Sequence, residues 1–163
     1  MEPLLPTRSA REHIAPGAAV APGPAVATAT ATARNPIFIV DDSPVVRDRL
    51  LAMISELPNV EVVGQADVAF EAIHSIRRLR PAVVVLDISM PGGSGMYVLE
   101  TVKKDRPGPM VIMLTNFAHE PYRQKCLQLG ADYFFDKSTE FERVTQVLRD
   151  LPAPVEPCPA RQP

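Results

Sequence analysis

A few polar side chains in this 163-residue sequence stand where apolar runs end, and together they suggest one chemistry. Asp41 and Asp42 follow IFIV, Asp87 follows VVVL, Thr115 closes VIMLT, and Lys137 follows YFFD. Carboxylates crowded together repel and raise one another's pKa values. A hard divalent cation resolves that conflict, and oxygen ligands of this kind suit Mg²⁺. Lysine adds a point positive charge that can hold a phosphoryl oxygen. A threonine hydroxyl can donate to another. A central aspartate, Asp87, can act as nucleophile and form an acyl phosphate. Such a site would work by positioning and charge neutralisation, as phosphoryl transfer requires.

These residues meet only if the elements carrying them converge. IFIV reads as a short buried strand before Asp41. SPVVRDRLLAMISEL then has apolar residues at Val46, Leu50, Met53, Ile54 and Leu57, a helical stripe, with Ser43 as N-cap and Pro44 at the first helical position. VEVVGQA from Val60 is a second strand. DVAFEAIHSIRRLR is a second helix with Ala69, Ala72, Ile73, Ile76 and Leu79 inward and Pro81 stopping it. AVVVLD, PMVIMLT and ADYFFD are further strands. SGMYVLETVKK, EPYRQKCLQLG (closed by Gly130) and STEFERVTQVLRDL are further helices, the last capped by Ser138 or Thr139.

Strands that are continuously apolar are covered on both faces. The alternation therefore predicts an α/β fold, a doubly wound parallel sheet of five strands flanked by five helices. Right-handed crossovers put every strand's C-terminal end on one rim, where ligands bind. Asp87 would end its strand there because a rigid strand aims its carboxylate. The Pro91-Gly92-Gly93 turn would carry the backbone away and leave room above it.

Residues 1–35 are rich in Pro, Ala and Thr, and residues 152–163 are Pro-rich; both are expected to be disordered, leaving residues 36–151 as the folded unit. With 17 basic and 19 acidic residues, formal net charge −2, the chain lacks the charge footprint of a nucleic-acid binder. No apolar stretch is long enough to span a bilayer, and prolines interrupt any signal-like segment near the N-terminus. Cys126 falls in a helical pattern and Cys158 in the Pro-rich tail, so a reduced, cytoplasmic chain is expected.

The acid pair after IFIV, Asp87 with MPGGSG after it, Thr115, and Lys137 after YFFD occur in the order and at the approximate spacing of a known family. The sequence resembles the receiver domain of bacterial two-component response regulators over Pro36 to Leu151. The resemblance implies a flavodoxin-like sheet of strand order 2-1-3-4-5. It implies Asp87 as phosphoacceptor, Asp42 and Asp87 as direct Mg²⁺ ligands, Asp41 as a ligand through water, and the backbone carbonyl of Ser89 as a further ligand. Thr115 and Lys137 would bind the phosphoryl oxygens, with Thr115 and Phe134 as switch residues. The fourth helix, fifth strand and fifth helix would form the output face.

The implied partners are a histidine kinase or histidine phosphotransfer protein and a downstream protein target, with no direct nucleic-acid or membrane partner; dimerisation on phosphorylation stays open. Only 26 residues follow Lys137 (163 − 137), so a stand-alone receiver is expected. The sequence departs from the family where Ser138 replaces a common proline and where Asn116 replaces a common small residue. Asn116 and its neighbour Phe117 would narrow access to an acyl phosphate.

Blander readings compete. Alone, an acid pair is a helix cap, Lys137 a surface lysine and Phe134 a core ring. His13, His74 and His119 lack ligand spacing, Cys126 reads as a packed small residue, and Arg77-Arg78-Arg80 as a solvated helix face. Two other functions compete as well. An aspartate-nucleophile phosphohydrolase is disfavoured by the adjacent Asp41-Asp42, where that class places Asp-x-Asp. A phosphorylation-silent binding module is disfavoured by the complete set of site residues.

Overall fold

The computed structural model describes residues 33–154. The strands are β1 (Asn35–Val40), β2 (Val60–Ala66), β3 (Val83–Leu86), β4 (Ser89–Met90), β5 (Gly93–Ser94), β6 (Met110–Thr115) and β7 (Tyr133–Asp136). The helices are α1 (Pro44–Ser55), α2 (Ala69–Leu79), α3 (Gly95–Lys104), α4 (Glu120–Gln128) and α5 (Arg143–Arg149). Five strands form one parallel sheet in the order β2-β1-β3-β6-β7. That is the expected 2-1-3-4-5 order, because β4 and β5 form a separate antiparallel pair.

The central strands are sealed on both faces. Ile37 to Val40 and Val83 to Leu86 are all buried. Burying each such side chain contributes about 1.5–3 kcal/mol before chain entropy is counted. The sheet divides the core in two. Phe38, Val84, Leu86, Val98 and Cys126 pack on the side of α2, α3 and α4. Ile37, Ile39, Leu50, Ile112 and Leu148 pack on the side of α1 and α5. Strand alternation sends Phe134 into the first layer and Phe135 into the second.

Local signals explain most element ends. Ser43 caps α1, its Oγ accepting the Val46 N–H at 3.5 Å, with Pro44 as first helical residue. Gly130 follows α4 with φ +99°. Arg80 ends α2 in the left-handed region, φ 48° and ψ 56°. A residue with a Cβ there costs about 1–2 kcal/mol. The β1–β2 register shifts between Ile37 and Phe38, which sets Phe38 opposite Gly64. A Cβ on Gly64 would lie 2.7 Å from the Phe38 ring, so that ring requires glycine across from it.

Three expectations are corrected. The last helix starts at Arg143, not near Ser138 or Thr139, and Glu142 is its N-cap without a side-chain cap bond. The Ser138 N–H donates instead to Asp136 Oδ1 at 2.7 Å and the Glu140 N–H to Asp136 O at 2.8 Å, so the segment forms a turn. Leu79 is 37% exposed rather than inward. The fold begins at Asn35, buried in β1, whose Nδ2 donates to Pro152 O at 2.9 Å. Asn59 Nδ2 donates to Leu148 O at 2.9 Å beside it. The segments expected to be disordered otherwise fall almost wholly outside the described residues, as do His13 and Cys158. Among the described residues no helix is long and apolar enough to cross a membrane.

Candidate functional site

The parallel register brings the C-terminal ends of β1, β3, β6 and β7 to one rim. Asp41 and Asp42 follow β1, Asp87 follows β3, Thr115 ends β6 and Lys137 follows β7. Backbone bonds fix each emergence. The Asp87 N–H donates to Val40 O at 2.9 Å, and the Lys137 N–H to Thr115 O at 3.0 Å. The strands are thus held in register up to the residue that carries the chemistry.

The Lys137 ammonium bridges two carboxylates. Its Nζ lies 2.6 Å from Asp41 Oδ2 and 2.8 Å from Asp87 Oδ2. Asp41, Asp87 and Lys137 are buried, at 2%, 5% and 9% exposure, whereas Asp42 is exposed. The remaining oxygens of the buried acids are also held. Asp41 Oδ1 accepts the Ser43 N–H at 2.9 Å, and Asp87 Oδ1 accepts the Ile88 N–H at 2.6 Å. Thr115 is fully buried, and its Oγ1 accepts the Phe117 N–H at 3.1 Å.

Both ends of the Asp41–Lys137 pair stand above their ordinary values, for different reasons. Burial pushes the Asp41 carboxyl above its ordinary range, and the bonds from Lys137 and Ser43 only partly offset it. Burial would lower the Lys137 pKa, but its bonds to Asp41 and Asp87 outweigh that, so it stands above the ordinary lysine value. The short contacts favour the charged pair. They leave an acid-rich cluster that one ammonium does not fully neutralise.

That cluster fits a divalent cation. Asp41, Asp42 and Asp87 each offer a carboxylate oxygen, all within 4.8 Å of one another. An all-oxygen donor set suits Mg²⁺. Ser89 lies exposed in β4, two residues beyond Asp87.

Phe134 lies three residues before Lys137 in β7, 3% exposed, with its ring packed against the α2–α3–α4 layer. Its surroundings include a network that its sequence neighbours do not reveal. Arg123 of α4 sits 4.9 Å from the ring centroid and donates from Nη1 to Phe134 O at 3.2 Å. Arg123 Nη2 reaches Glu140 Oε2 at 3.4 Å, and that oxygen accepts the Asp136 N–H at 3.2 Å. Arg143 pairs with the other Glu140 oxygen. The strand that presents Lys137 is therefore clamped from outside by α4 and the turn before α5.

Two further residues shape the site. Arg47 Nη1 donates to Asp41 O at 2.6 Å, tying the acid loop to the first turn of α1. Gly95 opens α3 so close to the loop after β3 that an added Cβ would lie 1.7 Å from Asp87 O. The Gly95 N–H also donates to Ile88 O at 2.8 Å. The MPGGSG segment therefore turns through the β4–β5 pair, and its last glycine lets α3 start against Asp87. Of the remaining residues weighed from sequence, His119 is the N-cap of α4 without a side-chain bond, and His74 is exposed. Cys126 is fully buried, its thiol pushed up to about 11 by burial.

Comparison with known proteins agrees with this geometry. A family model for the response regulator receiver domain matches residues 37–149. The response regulator GacA of Pseudomonas aeruginosa is 29% identical over 115 residues, which make up 71% of this chain and 54% of that protein. A protein-glutamate methylesterase/protein-glutamine glutaminase of Rhizobium etli is 46% identical over 83 residues, 51% of this chain and 24% of that protein. The chain thus spans about half the length of the GacA relatives it matches, and less of the methylesterases. Among solved structures, the response regulator domain of Thermotoga maritima CheB has a TM-score of 0.63 at 31% identity, covering 71% of this chain and 90% of that one. A DNA-binding response regulator of the LuxR family from Staphylococcus aureus has a TM-score of 0.65 at 26% identity, covering 70% and 95%. A matching family model, a parallel sheet of the expected order and acids gathered at its rim converge on one assignment: the chain belongs to the response regulator receiver domain family of two-component systems.

Proposed function

We propose that this chain is a phosphorylation-controlled signalling receiver that takes a phosphoryl group on Asp87 from a phosphohistidine donor. The observation that carries this reading is the Lys137 ammonium seated 2.8 Å from Asp87 and 2.6 Å from Asp41 at adjoining strand ends. One Asp87 carboxylate oxygen forms the new P–O bond as the donor P–N bond breaks, and its electron pair returns to the imidazole nitrogen. Lys137 and the Thr115 hydroxyl hold phosphoryl oxygens. Asp42 and Asp87 would hold Mg²⁺ directly, with Asp41 reaching it through water and the Ser89 carbonyl as a further ligand. The bound ion would neutralise charge between the carboxylates and the incoming phosphoryl group.

Output follows from the same strand ends. Thr115 and Phe134 couple the phosphoryl group to the face formed by α4, β7 and α5, which a downstream protein reads. A histidine kinase or a histidine phosphotransfer protein is the donor, and the reaction belongs in the cytoplasm. The chain itself turns over only its own acyl phosphate.

The test is to incubate the protein with Mg²⁺ and acetyl phosphate or a phosphohistidine donor. A stoichiometric, acid-stable and base-labile label that disappears in Asp87→Asn is expected. Multiple turnover of phosphate esters would indicate a hydrolase instead, and absence of label a silent binding module.

A further inference from the structure

At the opposite pole of the sheet, below the N-terminal ends of β3 and β6, lies a cavity of about 590 Å³. One wall is the end of α2, with Ile76, Arg77 and Arg80; the other is the Arg106–Pro109 loop that leads into β6. Its volume falls in the range of small-molecule pockets. The two walls are tied at a fixed spacing. Arg77 Nε donates to Asp105 Oδ2 at 2.9 Å and Arg77 Nη2 to Asp105 Oδ1 at 3.2 Å. Two prolines flanking Gly108 stiffen the second wall.

The charge of this cavity is not balanced. Asp105 is its one lining acid and is already engaged by Arg77. Arg80 and Arg106 make no ion pair among the described residues. The Arg80 charge also helps to hold the Asp105 carboxyl below its usual range, after the larger effect of the Arg77 bond, which places Arg80 near the same wall. A basic residue in the last turn of α2 complements the helix dipole, and that accounts for Arg77 and Arg78. It does not account for Arg80, kept past the helix end in a left-handed conformation that glycine adopts without strain. Strain retained at one residue points to a use for its side chain.

We propose that this cavity is a binding site for a small organic diphosphate of the nucleotide type. The forked guanidiniums of Arg80 and Arg106 match phosphoryl oxygens. The exposed Pro107 ring, backed by the buried Ile76 and Pro81, supplies the apolar surface for the flat organic part. The site is independent of the acidic rim and needs neither Mg²⁺ nor phosphorylation.

The experiment uses the full chain in chelator, so that the rim holds no metal. Adenosine diphosphate and pyrophosphate are titrated separately, followed by calorimetry and by backbone amide shifts. Saturable shifts confined to residues 76–82 and 105–110 are expected, with adenosine diphosphate binding more tightly than pyrophosphate. Arg80→Gly removes the side chain and relieves the backbone, so the variant should fold at least as well as the parent. It and Arg106→Gln should each weaken binding by about tenfold or more, and Asp87→Asn should leave it unchanged. Absence of saturable shifts at these amides, or shifts centred on the acidic rim, overturns the proposal. So does an acidic peptide, hexaglutamate, that saturates these amides when adenosine diphosphate does not. Pyrophosphate binding as tightly as adenosine diphosphate overturns the role of the apolar wall.

Discussion

Lys137→Met removes the ammonium between Asp41 and Asp87 while keeping a side chain of similar length. The two carboxylates are then left buried, with side chains 3% and 6% exposed, and lose partners at 2.6 and 2.8 Å. Removing one partner of a buried ion pair costs about 3–5 kcal/mol. For a domain of this size each kcal/mol lowers Tm by about 4 °C, so a fall of about 12–20 °C is expected in metal-free buffer, read by circular dichroism. Two further arms follow. Mg²⁺ at about 100 times its Kd adds about 2.7 kcal/mol, and the gain should be larger in the variant, whose site is more negative. Lower pH should also narrow the deficit. The Asp41 carboxyl already stands above its ordinary value, and loss of the ammonium raises it further. A group with a raised folded-state pKa stabilises below its unfolded value, and that stability is lost as pH rises through the folded value. The deficit should therefore shrink toward pH 4 and grow toward neutrality. A Tm within about 2 °C of the parent in chelator, with an equal Mg²⁺ shift in both proteins, would refute the electrostatic reasoning.

Gly95→Ala should lower Tm by at least about 4 °C and abolish phosphoryl labelling, because its Cβ would lie 1.7 Å from Asp87 O and the Asp87 peptide must shift. Arg123→Ala and Glu140→Gln, combined in a double-mutant cycle of denaturant melts, should show a coupling of about 0.5–1 kcal/mol for this partly exposed pair; additivity would mean that Arg123 acts through the Phe134 ring and carbonyl alone. Asn116→Ala should shorten the half-life of the acyl phosphate, since Asn116 sits exposed directly after Thr115; an unchanged half-life would dispose of its gating role. Lys137 titrates above its ordinary value, so the stability advantage of the parent over Lys137→Met should persist past pH 10.5 and disappear only above the folded-state pKa.

The sheet was legible because its strands are continuous apolar runs that end on polar residues, a pattern independent of fine packing. VVVLD gave both the strand and the position of Asp87, and the parallel alternation placed the other acids on the same rim. Boundaries governed by distant partners were not legible. Ser138 and Thr139 have good capping chemistry, yet Asp136 and Glu140 claim the local N–H groups, and α5 starts later. The β4–β5 pair is too short to leave a periodic signal. Arg123 is 11 residues from Phe134 and 17 from Glu140, and nothing in EPYRQKCLQLG marks it as a neighbour of either. Gly95 could have been suspected from MPGGSG, but only the approach of α3 to Asp87 O shows which glycine is indispensable.

Asn35 bonds to Pro152, and Asn59 to Leu148, at the edge where β1 begins. The polypeptide therefore enters and leaves the domain side by side, at the pole farthest from Asp87. A fluorophore or surface tether attached at that pole, through exposed positions such as Arg34 or Ala153, stands at the end of the sheet opposite the acidic rim.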